Sequence, residues 1–591
     1  MDKNEITKKA KEYIAKEKNV NFKSEVEKLL ASVADADWKD LEDRFFQNLE
    51  FGTGGLRGVM GGGFNRMNTF VVRSATQGLA SYVIKAFPKK AAAGELAAVI
   101  AYDSRRYSKE FSEEAALVLA ANGIKCYLFS GLRPTPELSF AIRQFKADTG
   151  IVVTASHNPP QYNGYKAYWN DGSQVIEPHD VGIIREVNAV TEIKEITKED
   201  ALKKGLLKII DKEVDEPFHA MIRGKLFRPD LIKEKAGEVK IVYTPLHGTG
   251  AMHVEAALGG LGLKVITVPE QREGDGAFPT VQFPNPEEPP ALKMAIDLAK
   301  KEKAGVVMAT DPDADRFGIA VPDGNGEFVP VTGNQIGSLL IDYVLLSLKE
   351  QGKLPKNAAV VNTIVTTGMQ AKVAALYGVE TLECLTGFKW IANLMRLSET
   401  GALNKSIVFG CEESYGYLVE TEVRDKDGVS AAAMTAEMTL YWLSKGKSLL
   451  GRLNELYEKT GYWQEAGVSK YFPGPEGPST MQGIMTSYRE KPPATFGGIE
   501  VIKVRDIKTS QILHLKDGKK ETVDLPKSDV LQFFLKDGTI VSARPSGTEP
   551  KIKFYATSCQ EIGADGLAGA KAAMSKKLEA IKKDIKSVIG D

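Results

Sequence analysis

The most informative stretch of this sequence is Gly150-Ile-Val-Val-Thr-Ala-Ser-His-Asn-Pro159. Apolar and β-branched residues followed by small polar ones predict a buried strand that ends in a loop. Open α/β sheets bind ligands at the carboxyl ends of their strands, so Ser156 would lie where a nucleophile or phosphoryl carrier acts. Taken alone, residues 154–159 favour a simpler interpretation, in which Ser156 caps the following helix. The choice depends on the rest of the chain.

Strand-like runs alternate with helical segments along most of the sequence. The predicted strands are 97–102, 125–129, 150–155, 239–244, 264–268, 304–310, 358–363, 380–384 and 406–410, with helical segments at 109–121 and 251–260. Repeated strand–helix–strand units predict largely parallel sheets with right-handed crossovers. The charged stretch 194–215 is expected to be a solvated helix near a domain boundary.

The pattern changes after about residue 465. Residues 530–535 and 540–543 flank an Asp-Gly turn, which predicts a hairpin, and 552–555 predicts a further strand. Apolar residues then recur at helical spacing, which predicts a final amphipathic helix; they are Met574, Leu578, Ile581, Ile585 and Ile589.

At 591 residues the chain is too long for one hydrophobic core. We predict an α/β fold of three similar α/β domains with mixed, largely parallel sheets and a smaller C-terminal α+β domain, around a central active-site cleft. The expected domains are 1–215 (including an N-terminal helical extension), 216–330, 331–460 and 461–591.

Composition argues against several classes of protein. Lys+Arg 77 balance Asp+Glu 77, so neither a nucleic acid nor a membrane is an expected partner. The first residues have no apolar core, so we expect no secretory signal. The cysteines are far apart, which favours reduced thiols in the cytoplasm; they are Cys126, Cys384, Cys411 and Cys559. No histidines have zinc-site spacing.

The loop Asp311-Pro-Asp-Ala-Asp-Arg316 follows a predicted buried strand. Carboxylates at alternate positions of a tight loop are costly to ionise unless a cation neutralises them. We therefore expect Asp311, Asp313 and Asp315 to hold a hard divalent cation. A solvated acidic turn and a calcium loop are the alternatives, but the distant glutamate of the calcium motif is missing.

Further loops offer groups that bind phosphates and sugars. Arg544-Pro-Ser-Gly-Thr-Glu-Pro550 combines a guanidinium, hydroxyls and backbone N–H groups, as a phosphate cradle does; a simple Pro/Gly turn is the alternative. Glu412 and Ser414 can hydrogen-bond sugar hydroxyls, unless they are ordinary surface residues. Gly52-Thr-Gly-Gly-Leu-Arg57 can bring backbone N–H groups and a guanidinium to a phosphate. Lys389 is either a cation at a strand end or a solvated lysine.

These loops are more informative together than singly. Three of them end three similar α/β units, and the phosphate cradle comes from the different C-terminal domain. Four unrelated accidents at equivalent positions are less probable than one shared cleft.

As a set, the motifs resemble those of the α-D-phosphohexomutase family, of the phosphoglucomutase/phosphomannomutase type. Residues 154–159 resemble its phosphoserine loop, 311–316 its metal loop, 412–416 its sugar-binding loop and 544–550 its phosphate-binding loop. The amino-acid sequences of the sugar-binding loop and of residues 52–58 are most similar to those of the phosphoglucomutase/phosphopentomutase subgroup. Some bacterial members have a general-base histidine in the sugar-binding loop, and this chain has none there.

The resemblance implies that Ser156 is carried as phosphoserine and that it binds Mg²⁺ together with Asp311, Asp313 and Asp315. Arg57 and Lys166 match catalytic positions near the transferring phosphate, and Lys166 is a candidate acid/base if burial lowers its pKa. The implied substrate-binding residues are Thr53, Gly54, Arg57, His157, Arg316, Gly387, Lys389, Glu412, Ser414, Arg544, Ser546, Gly547 and Thr548. We interpret His157 as a neighbour that positions the loop, and not as a Ser/His pair with Ser156.

The implied reaction is that of a phosphoglucomutase, which interconverts glucose 1-phosphate and glucose 6-phosphate through bound glucose 1,6-bisphosphate. Phosphopentomutase and phosphomannomutase activities stay open, as do a glucose 1,6-bisphosphate synthase and a non-catalytic sugar-phosphate binding protein. The expected partners are small sugar phosphates, and the expected state is a cytoplasmic monomer or weak homo-oligomer.

Overall fold

The computed structural model describes residues 2–32, 34–52, 54–472, 476–546 and 551–590. It divides into two compact units, Met1–Val331 with Gly416–Leu440 and Thr332–Tyr415 with Tyr441–Asp591. Both units are built from β-sheets with helices packed against them. Among the described residues, no helix combines the length and apolar character needed to cross a bilayer.

The first unit begins with the helical extension that the charged pattern predicts. Its helices are α1 (Lys3–Lys16), α2 (Val20–Ala31) and α3 (Asp35–Phe45). They hold the glycine-rich turn at Gly62, whose N–H donates to Glu25 Oε2 (2.9 Å) and whose carbonyl accepts from Arg44 Nη1 (2.9 Å). A Cβ at Gly62 would lie 2.2 Å from the Phe22 carbonyl oxygen, so this close approach requires glycine.

The first sheet has the order β1-β5-β4-β2-β3-β6, in which β4, β2, β3 and β6 run parallel and β5 and β1 are antiparallel additions at one edge. Its strands are β1 (Gly55–Val59), β2 (Ala97–Tyr102), β3 (Lys125–Phe129), β4 (Thr149–Val153), β5 (Tyr162–Trp169) and β6 (Leu207–Ile210). The accompanying helices are α4 (Thr69–Ala86), α5 (Pro88–Ala93), α6 (Ser108–Ala121), α7 (Thr135–Phe145), α8 (His179–Asn188), α9 (Lys198–Lys203) and α10 (Lys212–Gly224). Every residue of β4 is buried, as expected of a central strand.

The prediction of one solvated helix over residues 194–215 was wrong. This stretch contains the short α9, then β6, and then the start of α10. Leu207 and Ile210 are buried while Lys208 and Ile209 are exposed, so β6 completes the sheet beside β3. Strand β6 has only four residues, and its apolar pattern is too short to be recognised among the charged residues around it.

The second sheet has the order β11-β10-β9-β7-β8, with parallel pairs at β9-β7 and β7-β8. Its strands are β7 (Lys240–Thr244), β8 (Lys264–Thr267), β9 (Val306–Thr310), β10 (Phe317–Pro322) and β11 (Phe328–Val331). The helices are α11 (Pro229–Lys235), α12 (Gly250–Gly259), α13 (Pro269–Arg272) and α14 (Lys293–Glu302), with 3₁₀ turns at Ala236–Glu238 and Pro289–Leu292. Because β9 and β10 are antiparallel neighbours, the acidic loop 311–316 is the tight connection between them.

The second unit contains a third α/β layer. Its core strands β12, β13 and β14 are parallel, with β12 in the middle. In chain order the elements from 333 to 460 are α15 (Gly333–Glu350), β12 (Ala358–Thr363), α16 (Gly368–Ala375), β13 (Glu380–Cys384), α17 (Phe388–Glu399), β14 (Ser406–Glu412), β15 (Gly416–Leu418), α18 (Gly428–Ser444) and α19 (Leu449–Thr460). Of these, β15 and the first part of α18 belong to the first unit.

An antiparallel sheet, β16-β23-β22-β21-β18-β19-β20, follows in the same unit. Its elements are β16 (Tyr462–Tyr471), α20 (Gly477–Glu490), β17 (Thr495–Phe496), β18 (Ile499–Asp506), β19 (Gln511–His514), β20 (Lys520–Thr522), β21 (Leu531–Leu535), β22 (Ile540–Pro545), β23 (Lys551–Gln560) and α21 (Gly566–Ile589). The hairpin β21–β22 and the amphipathic α21, whose five predicted apolar residues are buried, are confirmed. Gln532 Nε2 donates to the Ile364 carbonyl (2.7 Å), which ties this sheet to β12.

A buried ionisable cluster joins the first and second sheets through their helices. Glu137 of α7 has no exposed surface, and its Oε2 lies 3.1 Å from Nε2 of His253 on α12. Asp215 of α10 accepts two hydrogen bonds from Arg133. Nε donates to Asp215 Oδ1 (2.7 Å) and Nη2 donates to Asp215 Oδ2 (2.9 Å). Burial, followed by the nearby charge of Asp215, raises the pKa of Glu137 well above its ordinary value of 4.5.

We predict that Glu137→Gln raises stability at neutral pH and not in acid. The folded protein keeps the Glu137 proton above the pH at which the unfolded chain releases it, so stability falls as pH rises beyond about 4.5. Asp215, His253, Arg133 and Asp427 surround this carboxyl group and are unchanged in the variant. A glutamine cannot titrate, so the variant should melt at least about 2 °C higher than the wild type at pH 8.

Thermal midpoints at pH 4.5 and pH 8 test this prediction. The exposed Glu234→Gln serves as the control and should leave the pH dependence unchanged. An equal effect of Glu137→Gln at both pH values would contradict the assignment of a buried proton to Glu137.

Candidate active site

Ser156 lies just beyond the end of β4, as the sequence predicts. Ser156 is buried, and its backbone adopts the left-handed conformation with φ of 51°. For a residue other than glycine this conformation costs about 1–3 kcal/mol, so surrounding contacts must maintain it. One such contact is the hydrogen bond from the Ser156 N–H to Thr154 Oγ1 (2.8 Å).

The acidic loop faces this serine. Asp311, Asp313 and Asp315 are buried, and one oxygen of each lies within 4.8 Å of the others. Ser156 Oγ donates to Asp311 Oδ2 at 2.5 Å. Oδ1 of Asp313 and Oδ1 of Asp315 are buried without a hydrogen-bond partner. Unpaired carboxylate oxygens that converge at this spacing fit a metal ion, since buried charges are otherwise strongly unfavourable.

The pKa values of Asp311 and Asp313 are shifted in opposite directions. Burial and then the charges of Asp313 and Asp315 raise the pKa of Asp311 well above its ordinary value. Burial also acts to raise the pKa of Asp313, but the charges of Lys166 and Lys426 and hydrogen bonds to Asp311 and Lys166 together outweigh it, and the pKa lies below its ordinary value. The three carboxylates thus repel one another, and cations from elsewhere in the chain partly compensate this repulsion.

Two lysines supply that partial compensation. Lys166 Nζ, from β5, lies 2.8 Å from Asp313 Oδ2 and 3.3 Å from Asp315 Oδ2. Lys426 Nζ lies 3.1 Å from Asp315 Oδ2. Burial acts to lower the pKa of Lys166, but the two aspartates outweigh it and the pKa is raised. Lys166 is therefore a charged donor to both carboxylates, and the acid/base role, which requires a lowered pKa, stays a prediction.

His157 and Arg57 also lie at the serine loop. His157 Nδ1 is 3.1 Å from Ser156 Oγ, which is within hydrogen-bond distance, and the interpretation of His157 as a neighbour that positions the loop stays a prediction. Arg57 Nη1, from β1, donates to Asn158 Oδ1 (3.4 Å). Both side chains are thus held next to the serine that the sequence singles out.

Sequence reasoning missed several residues of this site. Thr135 donates its N–H to the Asp313 carbonyl and its Oγ1 to Asp313 Oδ2, each at 2.9 Å. Lys426 is the second such residue, and no local motif marks Thr135 or Lys426. Asp103 and Arg105, which contact the serine loop, directly follow the predicted strand 97–102. The rule that singled out Ser156, a polar residue at the end of a buried strand, would have found them.

Within the second unit, residues of the predicted sugar-binding loop come together. Glu412, at the end of β14, accepts a hydrogen bond from the Gly387 N–H (3.0 Å) through Oε1 and one from Ser414 Oγ (3.3 Å) through Oε2. Gly387 has φ of 109°, a conformation that favours glycine, and it precedes α17. Lys389, in the first turn of α17, lies with Nζ 5.7 Å from the Trp390 ring centroid.

The remaining predicted residues have structural contacts of their own. The Gly54 carbonyl accepts from the Ala167 N–H (3.0 Å), and Arg316 donates its N–H to Asp311 Oδ1 (3.0 Å). Arg544 lies at the end of β22, and the Ser546 N–H donates to the Lys551 carbonyl (2.7 Å). Three predicted residues, Thr53, Gly547 and Thr548, lie outside the described part of the chain.

Family models and relatives match most of this chain. Models described as phosphoglucomutase/phosphomannomutase alpha/beta/alpha domains I, II and III match residues 48–194, 217–324 and 332–460. A phosphoglucomutase of Staphylococcus haemolyticus is 34% identical over 89% of this chain and 93% of the relative. This chain belongs to the phosphoglucomutase/phosphomannomutase family. It is an enzyme of the mutase class, an intramolecular phosphotransferase.

Further relatives place the chain within that family. A human phosphopentomutase is 33% identical over 93% of this chain and 91% of the relative. The open form of pp63/parafusin, a phosphoglucomutase from Paramecium, has the same fold, with a TM-score of 0.66 and 19% identity over 92% of this chain and 96% of that chain. The resemblance to the phosphoglucomutase/phosphopentomutase subgroup is therefore confirmed.

We predict that Asp315→Asn weakens binding of a divalent cation at least about tenfold, because a charged ligand is lost. Mn²⁺ titration followed by electron paramagnetic resonance measures the affinity. Asp148→Asn is the matched control, since Asp148, just before β4, is also buried but is paired with Lys90 of α5 (2.7 Å). Equal Mn²⁺ affinity in the wild type and in Asp315→Asn would mean that the triad is not the metal site.

Proposed function

We propose that this enzyme is a phosphoglucomutase that interconverts α-D-glucose 1-phosphate and glucose 6-phosphate, with Ser156 as the phosphate carrier. The observation that carries the proposal is the 2.5 Å hydrogen bond from Ser156 Oγ to Asp311, beside three converging buried carboxylates. A serine in this setting suits phosphoryl transfer, which depends on positioning and charge neutralisation.

Asp311, Asp313 and Asp315 would hold Mg²⁺ together with the phosphorylated Ser156. When bound, Mg²⁺ supplies Lewis-acid polarisation of the phosphoryl oxygens and a template for in-line transfer. The unpaired Oδ1 atoms of Asp313 and Asp315 are the donors that support this assignment.

The chain's own residues then orient the transfer. The P–O bond to Ser156 Oγ breaks as a bond to the free sugar hydroxyl forms, and the proton of that hydroxyl ends on Ser156 Oγ. The resulting bisphosphate turns and returns its other phosphate to Ser156, whose proton ends on the sugar oxygen that is released. Lys166 and Arg57 are proposed to donate hydrogen bonds to the phosphoryl group as its charge shifts. Because the Ser156 proton is directed at Asp311, an Oγ lone pair is left for the incoming phosphorus.

The second unit is proposed to bind the rest of the substrate. Glu412 and Ser414 would accept and donate hydrogen bonds to sugar hydroxyls in both orientations. The phosphate that is not reacting would be held by Arg544, Ser546, Gly547 and Thr548. Thr53, Gly54, His157, Arg316, Gly387 and Lys389 complete the proposed substrate contacts. A cytoplasmic location is also proposed, in keeping with the free thiols of the cysteines.

Ser156→Ala should lower kcat by about 10³-fold or more, since the phosphate carrier is removed. Conversion of glucose 1-phosphate is measured in a coupled assay with Mg²⁺ and glucose 1,6-bisphosphate, and intact mass reports one added phosphate in the wild type only. Ser139→Ala, a buried serine that bonds the Gly172 carbonyl, is the control for loss of a hydroxyl. Substantial turnover in Ser156→Ala would refute the phosphoserine mechanism.

A phosphopentomutase is the second candidate, because several relatives of similar identity have that name. We expect kcat/KM for glucose 1-phosphate to exceed that for ribose 1-phosphate. Glucose 1-phosphate, ribose 1-phosphate and mannose 1-phosphate are compared on one preparation with saturating Mg²⁺ and the matching bisphosphate. A tenfold preference for the pentose would reverse the assignment, and a preference for mannose 1-phosphate would indicate a phosphomannomutase.

A further inference from the structure

A buried guanidinium lies at the centre of the serine loop. The side chain of Arg105 has no exposed surface, and its nitrogens donate to backbone carbonyls of that loop. Nη2 donates to the Ser156 carbonyl (2.5 Å) and to that of Asn158, and Nη1 donates to those of Pro159 (2.9 Å) and Tyr162 (3.0 Å). The planar guanidinium of Arg105 thus donates hydrogen bonds to four backbone carbonyls within residues 156–162.

These contacts account for the unusual backbone at the serine. Turning carbonyl oxygens towards a single interior point bends the chain sharply, and Ser156 adopts φ of 51° at that bend. The strain of about 1–3 kcal/mol persists only if surrounding groups over-determine the conformation. A guanidinium is well suited to this task because its donors have a rigid, forked geometry that an ammonium group lacks.

Asp103 holds the guanidinium in turn. Its Oδ2 lies 3.3 Å from Arg105 Nε and accepts from Thr154 Oγ1 (2.6 Å). Its Oδ1 accepts from Ser108 Oγ (2.8 Å) and from the Arg105 N–H (3.0 Å). Thr154 Oγ1 also accepts from the Ser156 N–H, so one network reaches both sides of the serine.

We propose that Arg105 is a positioning residue for phosphoryl transfer, which fixes the direction of Ser156 Oγ towards Asp311, and that Asp103 fixes Arg105. This inference rests on the proposed role of Ser156 as phosphate carrier. Arg105 bonds the carbonyl of Ser156 and not its hydroxyl, so it acts through the backbone. Its loss should slow transfer to the serine and leave binding of the sugar phosphate almost unchanged.

The test follows phosphorylation of Ser156 itself. Dephosphorylated enzyme with Mg²⁺ is mixed with glucose 1,6-bisphosphate, and rapid quench with intact-mass analysis gives the rate of phosphate uptake. Arg105→Ala is expected to lower this rate about 100-fold, as a misplacement of about 1 Å does. Arg105→Lys should be intermediate, because an ammonium group cannot reach all four carbonyls. The Kd for glucose 6-phosphate should change less than about threefold.

Control and companion variants separate positioning from general stability. Arg143→Ala removes an arginine of α7 that donates to the Asp171 carbonyl (3.1 Å), and it should lower neither the uptake rate nor kcat. Asp103→Asn should slow uptake about tenfold, because the carboxylate that anchors Arg105 is neutralised. This variant decides the question if both Arg105 variants fail to fold, as judged by their thermal midpoints.

The outcomes distinguish the inference from the proposed function. If the wild type takes up no phosphate on Ser156, the proposed function is wrong and the inference fails with it. If the wild type is phosphorylated and folded Arg105→Lys, Arg105→Ala or Asp103→Asn takes up phosphate at the wild-type rate, the inference alone is overturned. An equal loss of affinity and rate would also overturn it, since that indicates a collapsed site.

Discussion

The burial of three carboxylates in one short loop is the constraint on which the rest of the first unit depends. Asp311, Asp313 and Asp315 are withdrawn from water, and such charges are tolerated only where cations or donors meet them. Lys166 and Lys426 reach the loop from distant parts of the chain and offset some of the charge. The remaining unpaired oxygens, Oδ1 of Asp313 and Oδ1 of Asp315, suit a metal ion.

A second constraint acts on the serine that faces this loop. Its position needs a sharp backbone turn, which Thr154 and Arg105 stabilise, while Asp311 accepts a hydrogen bond from the hydroxyl group. The charge of the triad and the shape of the serine loop are thus separate requirements met by different residues. Phosphoryl transfer depends on both. Stabilising the charge of the phosphoryl group does not speed the reaction if Ser156 Oγ points in the wrong direction.

Much of the fold could be predicted from the sequence because its strands are apolar and its turns have characteristic residues. Strand β4, the hairpin β21–β22 and helix α21 have the predicted pattern. Strand β6 was missed, since four residues in a charged stretch carry almost no periodic signal. Thr135 was missed for another reason: its bond to Asp313 spans 178 residues, and no local pattern encodes such a contact.

The sequence by itself determined the family, the mutase class and the serine and aspartates of the candidate site, because these lie in contiguous motifs at strand ends. Only the tertiary structure decided the electrostatic state of Lys166, whose pKa depends on how burial balances against Asp313 and Asp315. It also decided that Arg105 turns inward to the serine loop. Both results depend on distances between segments far apart in the chain, and the identity of a residue does not specify those distances.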